Sequence, residues 1–156
     1  MNAPDPVLRY AIGLLRANRL TEAETALAGA CGMPTASSEH WFLLGAVQHM
    51  QGRANEALAA FDRALTLQPQ HANALNARAT VLHAMGRSAD ARASYERALA
   101  LMPGNAQVLT NLAIVLEEQS VGDEAITRYE QALHSDPIYR PALLNLCALL
   151  LRLGRA

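Results

Sequence analysis

Apolar residues recur along this chain at spacings of three and four, in short blocks set apart by polar or glycine-containing breaks. Ala57, Phe61 and Ala64 form an i, i+4, i+7 stripe, and Leu75, Ala79 and Leu82 form another. Stripes of this period predict amphipathic helices with one buried face. The blocks place helices near 6–17, 20–31, 38–51, 54–67, 72–85, 88–101, 106–119, 122–135 and 140–153. Gly52 and Gly86 break the chain between paired stripes, with Ser88 or Asp123 positioned to cap the helix that follows. Pro69, Pro103 and Pro137 end the second helix of each pair, because the residue before a proline avoids the helical region.

The pattern repeats. Ala23, Ala57, Ala91 and Ala125 lie 34 residues apart, as do Ala30, Ala64, Ala98 and Ala132. Leu27, Phe61, Tyr95 and Tyr129 keep the same interval, and so do Trp41, Leu75, Leu109 and Leu143. Gly52, Gly86 and Gly154 share it too, with Ser120 in the remaining place. A fixed period of this length predicts a helix-turn-helix array rather than an ordinary bundle. Gly45, Ala79, Ala113 and Cys147 form a column of small residues on the first helices, opposite Ala57, Ala91 and Ala125 on the second. Small against small lets two helix axes approach, and the large aromatics fill the space between repeats. One hairpin cannot bury both of its faces, so each repeat needs its neighbour.

Trp41-x-x-Leu44-Gly45, Ala57-x-x-x-Phe61-x-x-Ala64 and Pro69 resemble the signature of the tetratricopeptide repeat family. The resemblance covers repeats near 4–37, 38–71, 72–105 and 106–139 and a half repeat at 140–156. Gln48 and Arg78 depart from it, standing where the family usually has a large apolar residue, as does Ser120 in a glycine place. The resemblance implies an all-α fold, a right-handed solenoid whose first helices line a concave groove that holds extended peptides or partner helices. In that register the groove receives Phe42, His49, Met50, Asn76, Thr80, His83, Thr110, Ile114 and Glu117. Its middle is polar and uncharged and its ends are apolar. The lysine clamp of chaperone-binding relatives is absent, since the chain contains no lysine. Only Asn111 and Asn145 match the asparagine ladder of the glycosyltransferase relatives.

Composition removes several classes of function. The chain has 156 residues, 51% of them hydrophobic and 17% charged, with a formal charge of −1. Without a basic run it has no electrostatic footprint for nucleic acid or anionic membrane. No uncharged apolar stretch reaches spanning length, so no membrane insertion is expected, and residues 1–6 show no leader pattern, which points to the cytoplasm. Two cysteines make no disulfide framework, and Cys147 is expected to be a buried packing thiol. No phosphate loop, Cys-x-x-Cys pair or His-Glu-x-x-His run occurs. His49, His83 and Glu117 share one column, but adjacent repeats are too far apart for one ion, so no metal, cofactor or enzymatic role is expected.

The residues together predict a scaffold binding a protein or peptide in the groove. The alternatives are a substrate-recognition arm of a larger bacterial enzyme, such as a glycosyl- or sulfotransferase, and a self-assembling structural scaffold. The helix near 140–153 presents Leu143, Leu146 and Leu150, a face that predicts a homodimer or end-to-end oligomer.

Overall fold

In the computed structural model, residues 5–155 are described; the outermost ends of the predicted repeat array, residues 1–4 and 156, and most of the stretch read for a leader lie outside them. Among the described residues the elements are nine helices and no strand. These are α1 (Pro6–Arg16), α2 (Leu20–Cys31), α3 (Ser38–Met50), α4 (Ala54–Leu67), α5 (Ala72–Ala84), α6 (Ser88–Leu101), α7 (Ala106–Glu118), α8 (Gly122–Ser135) and α9 (Arg140–Arg152). Each begins where the apolar periodicity predicted and ends within a residue of it. The fold is an all-α helical-repeat solenoid.

The turns inside the repeats share one geometry. Asn18, Gly52, Gly86, Ser120 and Gly154 all have positive φ, between 56° and 77°. The N–H of Gly52 donates to His49 O at 2.9 Å and that of Arg53 to Gln48 O at 2.9 Å, which closes the helix end on itself. The same pair of bonds recurs at Gly86/Arg87 and Ser120/Val121. The second helix therefore starts straight out of this turn. Its N-caps are Arg19, Arg53, Arg87 and Val121, and none caps with its side chain, so the expected capping by Ser88 or Asp123 does not occur. Three of the first helices are side-chain capped instead, by Asp5 on Val7 N–H at 2.8 Å, by Asn105 on Val108 N–H at 3.1 Å and by His71 Nδ1 on Ala74 N–H at 3.2 Å.

Ser120 occupies a left-handed conformation that costs a residue with a Cβ roughly 1–2 kcal/mol. Glycine's extra freedom in the unfolded chain takes back about 0.5–1 kcal/mol. Ser120→Gly is therefore expected to raise stability by about 0.5–1 kcal/mol, read as a higher denaturant midpoint at unchanged slope; a lower midpoint would contradict this account of the turn.

The chain divides into two compact bodies, one up to Val81 and one from Leu82. In the first, α1, α2 and α3 pack in sequence and α3 pairs with α4. Its core joins Ala11, Leu14, Ala23, Leu27, Leu44 and Val47, and Val81 of α5 packs on Phe61 and Ala57. In the second body α6, α7, α8 and α9 pack in succession, and α7 also touches α9. Phe61, Tyr95 and Tyr129 are almost wholly buried. Trp41 is half-buried, with the Arg63 guanidinium 5.6 Å from its ring centroid.

Two of the departures from the family pattern, Gln48 and Arg78, are accommodated by acids. Gln48 is buried and hydrogen-bonds Glu24, which also takes Arg53 at 2.5 Å and Gln51 at 3.1 Å. Burial by itself would raise the Glu24 carboxyl, but these donors overcome it and hold the group below its ordinary range. Arg78 reaches Asp62 at 2.6 Å.

Candidate functional site

In the first body the groove residues differ in how freely they present themselves. Phe42 is half-buried, 6.1 Å from Phe61 and 5.0 Å from His71 between ring centroids. His71 is buried, and its Nε2 donates to Glu39 at 3.0 Å, so Phe42 rests on a fixed partner. His49 and Met50 are exposed at the end of α3. Asn76 is half-buried, and its Oδ1 is fully covered with no hydrogen-bond partner. An unmet buried carbonyl oxygen costs free energy until a donor reaches it. The Thr80 hydroxyl donates to Asn76 O at 3.1 Å within its own helix.

In the second body a depression of about 610 Å³ runs between α7 and α9 over part of α8. It brings together two of the predicted residues, Ile114 and Glu117, and adds Glu118, Tyr129, Asn145 and Arg152. Tyr129 Oη donates to Glu117 Oε1 at 2.5 Å, and Arg152 binds the other carboxylate oxygen. Asn145 also hydrogen-bonds the Tyr129 hydroxyl. Burial pushes the Tyr129 phenol well above its ordinary value, and the Glu117 hydrogen bond and charge push it further. Tyr129 thus stays protonated and holds Glu117 in one orientation.

His83 is not joined to Glu117, its neighbour in the repeat column. Its Nε2 lies 2.9 Å from both oxygens of Glu118, one residue further along α7, and Ser88 contacts the same carboxylate at 3.4 Å. Thr110 is buried and its hydroxyl donates to Ala106 O at 2.8 Å, so its one donor is already used within the helix. A threonine hydroxyl bonding back one turn is a common helix habit that column reading cannot detect. Among the residues the column reading passed over, Glu118 lies one position from the named Glu117 and Arg152 two from Leu150; Tyr129 was read as core, and it is core with one polar end.

The thiols correct one expectation. Cys147 is exposed rather than buried. Gly45, Ala79 and Ala113 in the same column are buried, whereas no described helix covers this side of α9. Cys31 is the sheltered thiol, and burial pushes it up to about 11. Among the described residues, no group of three or more His, Cys, Asp or Glu is arranged to hold a metal ion, and no helix is long and apolar enough to cross a membrane.

A solenoid of 34-residue helical hairpins is the architecture of the tetratricopeptide repeat class. The chain belongs to the family described as the cytochrome c-type biogenesis protein H TPR domain, which matches residues 17–137. It is similar in fold to MamA from Desulfovibrio magneticus RS-1, at 20% identity over 98% of this chain and 89% of that one, with a TM-score of 0.87. Pseudomonas aeruginosa pilF gives 20% identity over 94% of this chain and 67% of that one, with a TM-score of 0.85. YrrB, described as a TPR protein with an unusual peptide-binding site, gives 18% identity over 86% and 70%, with a TM-score of 0.78. No curated protein matches the chain.

Proposed function

We propose that this chain is a non-catalytic protein-interaction module that receives an extended peptide or a partner helix along its first helices. The observation that carries the reading is the depression between α7 and α9, where Ile114 offers apolar contact beside the fixed carboxylates of Glu117 and Glu118. Preformed, already paired groups lose little conformational freedom on binding, which is how a rigid surface gains affinity. Asn76 joins the set in the first body through its amide, whose covered Oδ1 lacks a partner and gains one once a side-chain rotation turns it toward a peptide N–H. Phe42, Met50, His49, Thr80 and His83 complete the proposed contact set, and the family membership and peptide-binding YrrB support it.

The test is affinity capture followed by mass spectrometry, comparing the natural chain with Ile114→Ser combined with Asn145→Ala. Glu117 is left intact, because its loss would strand the buried Tyr129 hydroxyl. Partners captured by the natural chain should fall by about tenfold or more in the variant, equivalent to ~1.4 kcal/mol, at unchanged helicity. Capture that is equal for both chains would move the site elsewhere.

A specific observation favours self-association as a second reading. On α9, Leu143 is 46% exposed, Leu144 62% and Leu151 67%. We infer that this face pairs with its copy in a second chain, a two-fold contact that buries Leu143, Leu146 and Leu150.

A further inference from the structure

A second groove, of about 780 Å³, lies in the second body between α6 and α8 and shares no residue with the α7–α9 depression. Its floor is apolar, made by Leu99, Leu109 and Leu112 with Pro103 at one end. The polar groups at its edge are mostly committed. Thr127 donates to Asp123 O at 3.0 Å, Ser135 to Gln131 O at 3.1 Å, and Glu96 holds Arg92 at 2.9 Å.

Arg128 is different. Its Nη1 donates to Gln131 at 3.1 Å, but its Nε is buried with no acceptor. The same column holds Ala26, Ala60 and Ser94 in the earlier repeats, so a bulky cation has been set where packing asks only for a small residue. A covered guanidinium N–H without an acceptor is costly, and a rotation that turns the side chain into the groove lets a carboxylate take Nε and an adjacent N–H together. A groove of this size with a leucine floor accommodates side chains of a short peptide.

We propose that the groove between α6 and α8 is a docking site for a peptide segment carrying a carboxylate beside bulky apolar residues, with Arg128 taking the carboxylate and Leu99 and Leu112 the apolar side chains. Glu130, also on the edge, sets the direction: the segment presents no second acid there. This contact goes beyond the first-helix site and is independent of it.

The test uses methyl NMR on the full chain with N-acetyl-Leu-Leu-Asp-amide as the probe and its Asn counterpart as control. The Asp peptide should shift the methyls of Leu99 and Leu112 saturably while leaving Ile114 still, and the Asn peptide should bind at least about fivefold more weakly. Arg128→Ala, which restores the residue type of Ala26 and Ala60 and so should fold, should abolish the Asp-over-Asn preference. Absence of shifts at millimolar peptide, equal affinity for the two peptides, or a preference that survives Arg128→Ala would overturn the proposal. Shifts confined to Ile114 would instead speak for the α7–α9 site and against this one.

Discussion

Gly45→Ala is expected to destabilise the protein, although alanine is the better helix former. A Cβ at Gly45 would sit 2.7 Å and 2.8 Å from ring carbons of Phe61 and 3.1 Å from Ala57 O. Phe61 is wholly buried, so the ring cannot swing into solvent, and Ala57 O belongs to the α4 backbone. Forcing a carbon into such a contact costs about 1–3 kcal/mol, while the gain in helix propensity returns about 1 kcal/mol at most. The clash should prevail and lower the unfolding midpoint. The decisive comparison is made in a Phe61→Leu background, where the ring is gone. There the same Gly45→Ala change should be neutral or stabilising, so its sign reverses. Equal effects in both backgrounds would mean that α3 and α4 do not meet at this pair.

Association through α9 should be equally sensitive to single positions. Leu143, Leu146, Cys147 and Leu150 repeat Leu109, Leu112, Ala113 and Leu116 of α7 at the 34-residue interval. On α7 all four are buried at no more than 1% exposure, with α8 packed alongside. On α9 Leu143 and Cys147 are exposed and Leu146 and Leu150 half-buried, so the face is one that this fold otherwise covers. Sedimentation at tens of micromolar should show a dimer or higher species. Leu146→Glu with Leu150→Glu should weaken association roughly 100-fold or more, about 3 kcal/mol, because paired chains would bury like charges. Leu143→Glu, at a more exposed site, gives the same reading if the double variant folds poorly. Cys147 supplies a second measurement, since its alkylation should slow as protein concentration rises. A monomer for the natural chain across this range, with alkylation independent of concentration, rejects the contact.

The amino-acid sequence by itself determined the architecture. The spacing of Ala57, Phe61 and Ala64, repeated three more times, leaves one arrangement that buries every stripe. The prolines at 69, 103 and 137 fix where the second helices stop, with Gln68 and Asp136 before them extended and Met102 likewise outside the helical region. Such features are legible because they are local or strictly periodic. Only the tertiary structure decided which polar groups remain available. Column reading set His83 and Glu117 in one line, but in three dimensions His83 meets Glu118, while Glu117 is held by Tyr129 and Arg152. A one-residue change of partner lies below the resolution of a 34-residue period, because side chains several atoms long choose among neighbours by geometry and not by register. Cys147 shows the same limit from the packing side. Its column predicts burial, yet burial belongs to the helix that covers a position, and on α9 the described residues supply none.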